Sequence, residues 1–162
     1  MKNYKAHPKT QIGHIHLTVS NMDKSLKFYR DILGFEITNT LPGAVFLSAG
    51  GYHHHIGLNT WSTDNSQKPQ EGQIGLYHFA ILYPSRKELA KAIKNLLDAK
   101  YPIGGASDHG VSEAIYLEDP DGNGIELYSD RPKTEWPKDK NGNIAMVTKR
   151  LDIDNLLKEA EN

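Results

Sequence analysis

The strongest constraint on the fold is that the chain repeats itself. Two segments, 14–33 and 78–97, align when one is shifted by 64 positions. Each opens with a histidine and a short apolar run. Each continues with apolar residues spaced three and four apart, as on one face of a helix. A repeat this short cannot bury a self-sufficient core, so we expect the two halves to pack against each other.

The same order of elements is predicted in both halves. Ser20 or Asn21 can cap the first helix, Gly34 can end it, and Ser85 can cap the second. Three strands separated by turn signals follow each helix. They are expected at about 35–40, 44–49 and 53–60, and then at about 101–105, 112–118 and 124–129. We therefore predict an α+β fold of two paired βαβββ modules.

The 162 residues suit a single compact domain. We expect that domain over residues 1–130, with one module at about 11–60 and the other at about 74–130, joined by a polar linker. Residues 131–162 are expected to form a C-terminal tail with a short helix capped by Asp152.

Composition excludes several classes of function. The net charge is -1, and neither sign forms a long run, which argues against a nucleic-acid or anionic-membrane partner. The absence of cysteine excludes disulfides, thiolate ligands and a cysteine nucleophile. The N-terminal residues contain no apolar stretch of the signal-peptide or membrane-spanning type, so a cytoplasmic protein is expected.

Strand alternation predicts which side chains share a face. In the first strand the apolar residues should face the helix and leave His14 on the opposite face. In the matching strand Tyr77, Phe79 and Ile81 should lie under the helix and leave His78 opposite. The same reasoning turns three further side chains away from the helices, namely His55, Tyr116 and Glu126. One curved surface is therefore expected to gather all five polar groups.

Two imidazoles and one carboxylate form a facial triad that suits a divalent metal and leaves coordination positions open for reactants. A single strand histidine is more often structural or merely exposed. Here, however, His14 and His78 hold the same place in the two halves, and Glu126 follows a glycine-rich turn. The sequence thus predicts one divalent metal bound by His14, His78 and Glu126.

At these residues the sequence resembles the vicinal oxygen chelate superfamily, which includes glyoxalases, bleomycin-resistance proteins and type I extradiol dioxygenases. Residues 14–35 are similar to the family's first strand and helix, and Asp119-Pro-Asp-Gly-Asn-Gly-Ile-Glu126 is similar to its closing turn and metal-binding glutamate. The resemblance covers residues 11–130. It implies paired modules forming an incomplete barrel around a metal.

The segment 50–58 distinguishes among family members. Glyoxalase I typically has a glutamate ligand on this strand, and none is present here. His54-His55-Ile56 resembles instead the histidine pair of extradiol dioxygenases, which implies an acid-base role for His55. The resemblance also implies that Tyr116 and His109 contact substrate, although Tyr116 could be a core tyrosine and His109 an exposed loop residue.

This resemblance implies ring cleavage of a catechol-type substrate with O2. Fe(II) is the expected metal, and Mn, Zn or Ni could be present in purified protein. A homodimer is expected. Two alternatives remain open at this point: another metal-dependent member of the superfamily, such as a glyoxalase-like lyase, isomerase or thiol transferase, and a bleomycin-resistance-like binding protein.

Overall fold

The computed structural model describes residues 4–62, 68, 72 and 74–161. Within these ranges, nine strands form two mixed sheets. The first sheet contains β1 (Ile15–Thr18), β2 (Glu36–Leu41), β3 (Ala44–Ser48) and β4 (Ile56–Asn59), in the spatial order β1-β4-β3-β2. The second has the order β5-β8-β7-β6-β9, where the strands are β5 (Phe79–Leu82), β6 (Gly105–Asp108), β7 (Ser112–Glu118), β8 (Gly124–Asp130) and β9 (Lys149–Arg150). The predicted α+β fold with two βαβββ modules is confirmed.

Each sheet has a helix after its first strand. Helix α1 (Met22–Leu26) starts at Asn21, whose side chain accepts a hydrogen bond from the amide of Lys24, and it continues as a π-helical turn, Lys27–Ile32. Helix α2 (Arg86–Asp98) starts at Ser85, whose hydroxyl accepts from the amide of Glu88. These contacts satisfy amides that have no partner within the helix.

One hydrophobic core joins the two modules. Its buried members from the first module include Leu17, Phe28 and Leu58, and those from the second include Ile93 and Leu127. Burial of alternate strand residues against the helices leaves the opposite face of each sheet to carry polar groups. A site can therefore form only on the face of each sheet that points away from its helix.

Three local predictions were wrong. The strand expected at 101–105 begins only at Gly105. The chain leaves α2 through Lys100, whose φ is 54°, and the ring of Tyr101 then packs against that of Phe28 with 4.7 Å between the centroids. The extended strand therefore starts later than expected. The strand expected at 53–60 is shortened to Ile56–Asn59. Tyr77 is 90% exposed rather than packed under α2, because it precedes β5 and strand alternation does not apply to it.

The segment after residue 131 is closely integrated with the second module. Strand β9 pairs antiparallel with β6, and helix α3 (Ile153–Leu157) begins at Asp152, whose carboxylate accepts from the amide of Asn155. Leu151 and Leu156 are both buried in the core.

Candidate metal and substrate site

The open face of the second sheet brings four predicted site residues together. Glu126 on β8 lies opposite Tyr116 on β7, and His78 immediately precedes β5, the other neighbour of β8. The Nε2 atom of His78 lies 3.1 Å from Oε2 of Glu126. Both side chains are partly buried, with 30% and 15% of their surfaces exposed.

Gly124 allows His78 to approach the end of β8. A Cβ atom at position 124 would lie within 3.4 Å of the backbone or Cβ atoms of His78 and would overlap the carbonyl oxygen of Tyr77. Only glycine leaves room for this contact. The glycine-rich turn thus positions both the glutamate, two residues later, and the histidine beside it.

Tyr116 lies between the glutamate and the loop that follows β6. Its hydroxyl oxygen is 3.4 Å from Oε1 of Glu126 and 2.7 Å from Nε2 of His109. Burial and the adjacent Glu126 carboxylate raise the pKa of Tyr116 to about 12. Tyr116 therefore remains a protonated hydrogen-bond donor at neutral pH.

His14 and His55 lie on the open face of the first sheet. His55 immediately precedes β4, and its carbonyl accepts a hydrogen bond from the amide of Ile15, so the two histidines are at neighbouring positions of adjacent strands. The ring of His14 is 4.4 Å from that of His54. Burial lowers the pKa of His54, and the nearby His14 lowers it further by a smaller amount. Imidazole rings are suited to act as metal ligands or hydrogen-bonding groups.

The hydrogen bonds of His55 indicate its tautomer. Its Nδ1 lies 3.3 Å from the amide nitrogen of Ala49 and 3.0 Å from the hydroxyl of Ser48. An amide N–H can only donate, so Nδ1 is the acceptor and neutral His55 carries its hydrogen on Nε2. The Nε2–H group can therefore donate a hydrogen bond.

Within one chain, the predicted residues are divided between the two sheets. His78, Glu126, Tyr116 and His109 form a connected group, whereas His14 and His55 lie in the first module. Among the described residues, no three His, Asp or Glu side chains are close enough to hold a metal ion together. The triad of His14, His78 and Glu126 remains a prediction.

Two features of the site were missed by sequence reasoning. One is the contact of His54 with His14, which depends on the chain bending just before β4. The other is a backbone contact on His109: its Nδ1 lies 2.9 Å from the carbonyl oxygen of Val147. A main-chain carbonyl has no residue-specific signal in the sequence, so only the structure could reveal this partner.

The sequence pattern of the Glyoxalase/Bleomycin resistance protein/Dioxygenase superfamily matches residues 11–127, and the chain belongs to this superfamily. It is 43% identical over 154 residues to the catechol-2,3-dioxygenase of Bacillus subtilis (strain 168), a match covering 95% of this chain and 53% of that protein. Biphenyl-2,3-diol 1,2-dioxygenase 3 of Rhodococcus globerulus is 27% identical over 120 residues, which cover 74% of this chain and 63% of the relative. The chain thus spans about half to two thirds of the length of these relatives.

The fold is also shared with solved structures. The crystal structure of lactoylglutathione lyase from Agrobacterium tumefaciens matches with a TM-score of 0.58 and 24% identity, covering 76% of this chain and 96% of the lyase. This likeness shows the fold, which hosts several chemistries. Within the described ranges, no helix has both the length and the apolar character needed to cross a bilayer.

Proposed function

We propose that this protein is a cytoplasmic Fe(II)-dependent extradiol dioxygenase that cleaves a catechol-type ring with O2. The observation that carries the proposal is the connected group of His78, Glu126, Tyr116 and His109, in which a pair of potential metal ligands adjoins two groups able to bind a diol. The relationship to a catechol-2,3-dioxygenase supports the same chemistry.

The spacing of His78 and Glu126 fits a shared metal ion. Two ligand atoms at right angles on a metal, each about 2.1 Å from it, lie about 3.0 Å apart. The observed separation of Nε2 and Oε2 is 3.1 Å. His78 and Glu126 would contribute to holding Fe(II), which would supply the redox chemistry that joins the diol and O2. The same donor set accommodates Mn, Zn or Ni, so purified protein could carry any of these ions.

We further propose that His14 completes the triad from a second copy of the chain. Strands β1 and β5, which follow the two histidines, each form the end of their sheet among the described strands. Large apolar side chains are exposed at or near these two strands, namely Ile12, Leu76, Tyr77 and Leu82. Bare apolar sheet edges are normally covered by another element or subunit. A homodimer would cover them and bring His14 of one copy to His78 and Glu126 of the other.

The space for an aromatic substrate lies on the first module. An open cleft of about 500 Å³ is lined by residues that include Leu41, Phe46, Tyr52 and His54. This volume is in the range of small-molecule sites, and the ring-rich lining suits an aromatic ligand. His54 also contacts His14, so the cleft adjoins one of the proposed metal ligands.

The remaining polar residues have proposed roles in substrate binding and proton transfer. Tyr116 and His109 would orient the two oxygen atoms of the diol by hydrogen bonds. His55 would act as the acid-base group, because imidazole exchanges protons within the working pH range. In the free protein the Nε2–H group of neutral His55 can donate a hydrogen bond to a substrate oxygen.

The decisive test is a ring-cleavage assay with catechol on protein loaded anaerobically with Fe(II). We expect O2-dependent formation of a coloured ring-cleavage product and about one iron per chain. Stoichiometric metal without ring cleavage would favour a lyase, isomerase or thiol transferase of the superfamily. Failure to bind any divalent metal would favour a bleomycin-resistance-like binding protein.

A further inference from the structure

His109 is held between the site and the C-terminal segment. Its Nε2 lies 2.7 Å from the hydroxyl of Tyr116, and its Nδ1 lies 2.9 Å from the carbonyl oxygen of Val147. A carbonyl oxygen can only accept a hydrogen bond, so Nδ1 must carry a hydrogen. In neutral imidazole, Nε2 is then the acceptor, and the hydroxyl of Tyr116 donates to it.

This arrangement also determines what Glu126 can bind. The hydroxyl of Tyr116 has one hydrogen, and it points to His109 across the shorter distance, 2.7 Å rather than the 3.4 Å to Oε1 of Glu126. Oε1 of Glu126 therefore stays available to a metal ion. In the opposite tautomer Nε2 would donate to Tyr116, and the Tyr116 hydrogen would turn to Glu126 and compete with the metal.

The C-terminal segment is attached firmly enough to impose this tautomer. The amide of Val147 donates in return to the carbonyl of His109 at 3.1 Å, and β9 continues the pairing with Ser107 and Asp108 of β6. Gly110 permits this close approach. A Cβ atom there would lie 2.9 Å from a side-chain carbon of Pro137 and 3.3 Å from one of Val147.

A second anchor lies further along the segment. The guanidinium group of Arg86 at the start of α2 donates to Asn155 at 2.8 Å and to Glu159 at 3.1 Å. It also contacts Glu113, which is 6% exposed, at 2.6 Å. Leu151 and Leu156, in the same segment, are buried in the core. Displacing residue 147 would therefore disturb paired backbone and buried side chains, which resist movement.

We propose that the C-terminal segment 137–151 is a positioning element of the active site, in which the carbonyl of Val147 holds His109 in the Nδ1–H form. Nε2 of His109 is thereby presented as an acceptor, to Tyr116 in the free protein and to a hydroxyl group of a bound diol. Val147 acts through His109 and does not itself touch substrate. The inference rests on the proposed function for its catalytic consequence, but the tautomer itself does not depend on that function.

The test compares Val147→Pro with Val147→Ala in the full chain. Proline keeps the carbonyl of residue 147 but removes the amide that binds the His109 carbonyl, and so releases the backbone that directs the residue 147 carbonyl at Nδ1. Alanine keeps both hydrogen bonds and shortens only a half-buried side chain. Nitrogen chemical shifts of the His109 ring, recorded by NMR on metal-free protein, report which nitrogen is protonated. We expect Nδ1–H in the wild type and in Val147→Ala, and a loss of this single form in Val147→Pro.

Kinetics on the same variants test the catalytic consequence. Loss of a partner that orients a site residue typically costs about tenfold or more, so kcat of Val147→Pro, measured per bound iron, should fall by that factor. A wild-type spectrum showing Nε2–H, or a Val147→Pro variant with unchanged tautomer and turnover, would overturn the proposal. If catechol is not cleaved at all, the proposed function fails, but the NMR spectra still show which nitrogen of His109 is protonated. The two failures can therefore be told apart.

A second variant guards against misfolding of Val147→Pro. Tyr116→Phe removes the hydroxyl on the other side of the ring and leaves the Val147 carbonyl in place. We expect His109 to remain in the Nδ1–H form in this variant. A change to Nε2–H would show that Tyr116, and not the C-terminal segment, determines the tautomer.

Discussion

The hydroxyl of Tyr29, on the helical segment of the first module, donates a hydrogen bond of 2.8 Å to Oδ2 of Asp119 in the second. Both residues are buried, with exposures of 0% and 4%. The same carboxylate accepts from the backbone amides of Asp121 and Asn123 and so shapes the turn that leads to Gly124 and Glu126. The contact links the packing of the two modules to the geometry of the site.

Replacing Tyr29 with phenylalanine tests this link. The change leaves the ring packed but removes a donor from a buried carboxylate, which should lower the free energy of unfolding by about 1–3 kcal/mol. Urea denaturation provides the measurement. Tyr101→Phe is the matched control, because its hydroxyl donates at an exposed position to the carbonyl of Glu118 and should be worth less. Equal losses in the two variants would contradict the special role of the Tyr29–Asp119 contact.

Glu126→Gln tests the proposed metal ligand. Glutamine keeps the volume but removes the negative charge that helps to neutralise the metal. We expect weaker metal binding and at least about a tenfold loss of activity, while circular dichroism shows an intact fold. Glu118→Gln is the control, since this exposed carboxylate pairs with Lys68 at 3.6 Å. Unchanged iron content and turnover in Glu126→Gln would show that Glu126 is not a ligand.

Mixing two inactive variants tests whether the site is shared between copies. A dimer of one His14→Ala chain and one Glu126→Gln chain would contain one intact triad, because each chain supplies what the other lacks. Random pairing after dissociation and reassembly should therefore restore about a quarter of the wild-type activity. The separate variants, treated in the same way, serve as controls. Absence of any recovery from confirmed mixed dimers, or a monomeric active enzyme in light scattering, would contradict the shared site.

His55→Gln tests the proposed acid-base residue. Glutamine can still accept from the amide of Ala49, but it cannot exchange a proton. Iron content and catechol affinity should stay near normal, while turnover falls by about a hundredfold, as is usual when a positioned acid or base is lost. Parallel loss of iron would instead indicate a metal ligand. Loss of stability alone would indicate a packed strand residue.

The control for this variant is His7→Gln. His7 is exposed, and its Nδ1 accepts a hydrogen bond of 3.2 Å from the amide of Lys9. We expect little change in its turnover. An equal loss of turnover in both variants would mean that the loss is not specific to His55.

Sequence periodicity was sufficient for the fold because its signals are local. Apolar spacing located both helices, the polar residues Asn21 and Ser85 marked where they begin, and strand alternation assigned His14 and Glu126 to faces opposite the helices. The predictions failed for residues that lie outside the strands, where side chains do not alternate between two faces. Tyr77 precedes the ladder of β5, and Lys100 and Tyr101 carry the chain out of α2 before the next strand can start.

The sequence by itself determined the two-module architecture, the residue types available to a metal and the face that Glu126 and Tyr116 were expected to share. Only the tertiary structure decided that His14 and His78 lie on separate sheets of one chain, because face assignment within a strand does not specify how two sheets are arranged. It also revealed the Tyr29–Asp119 bond and the contact of Val147 with His109. These contacts join residues 90 and 38 positions apart, and such pairs form only when the modules and the C-terminal segment pack together.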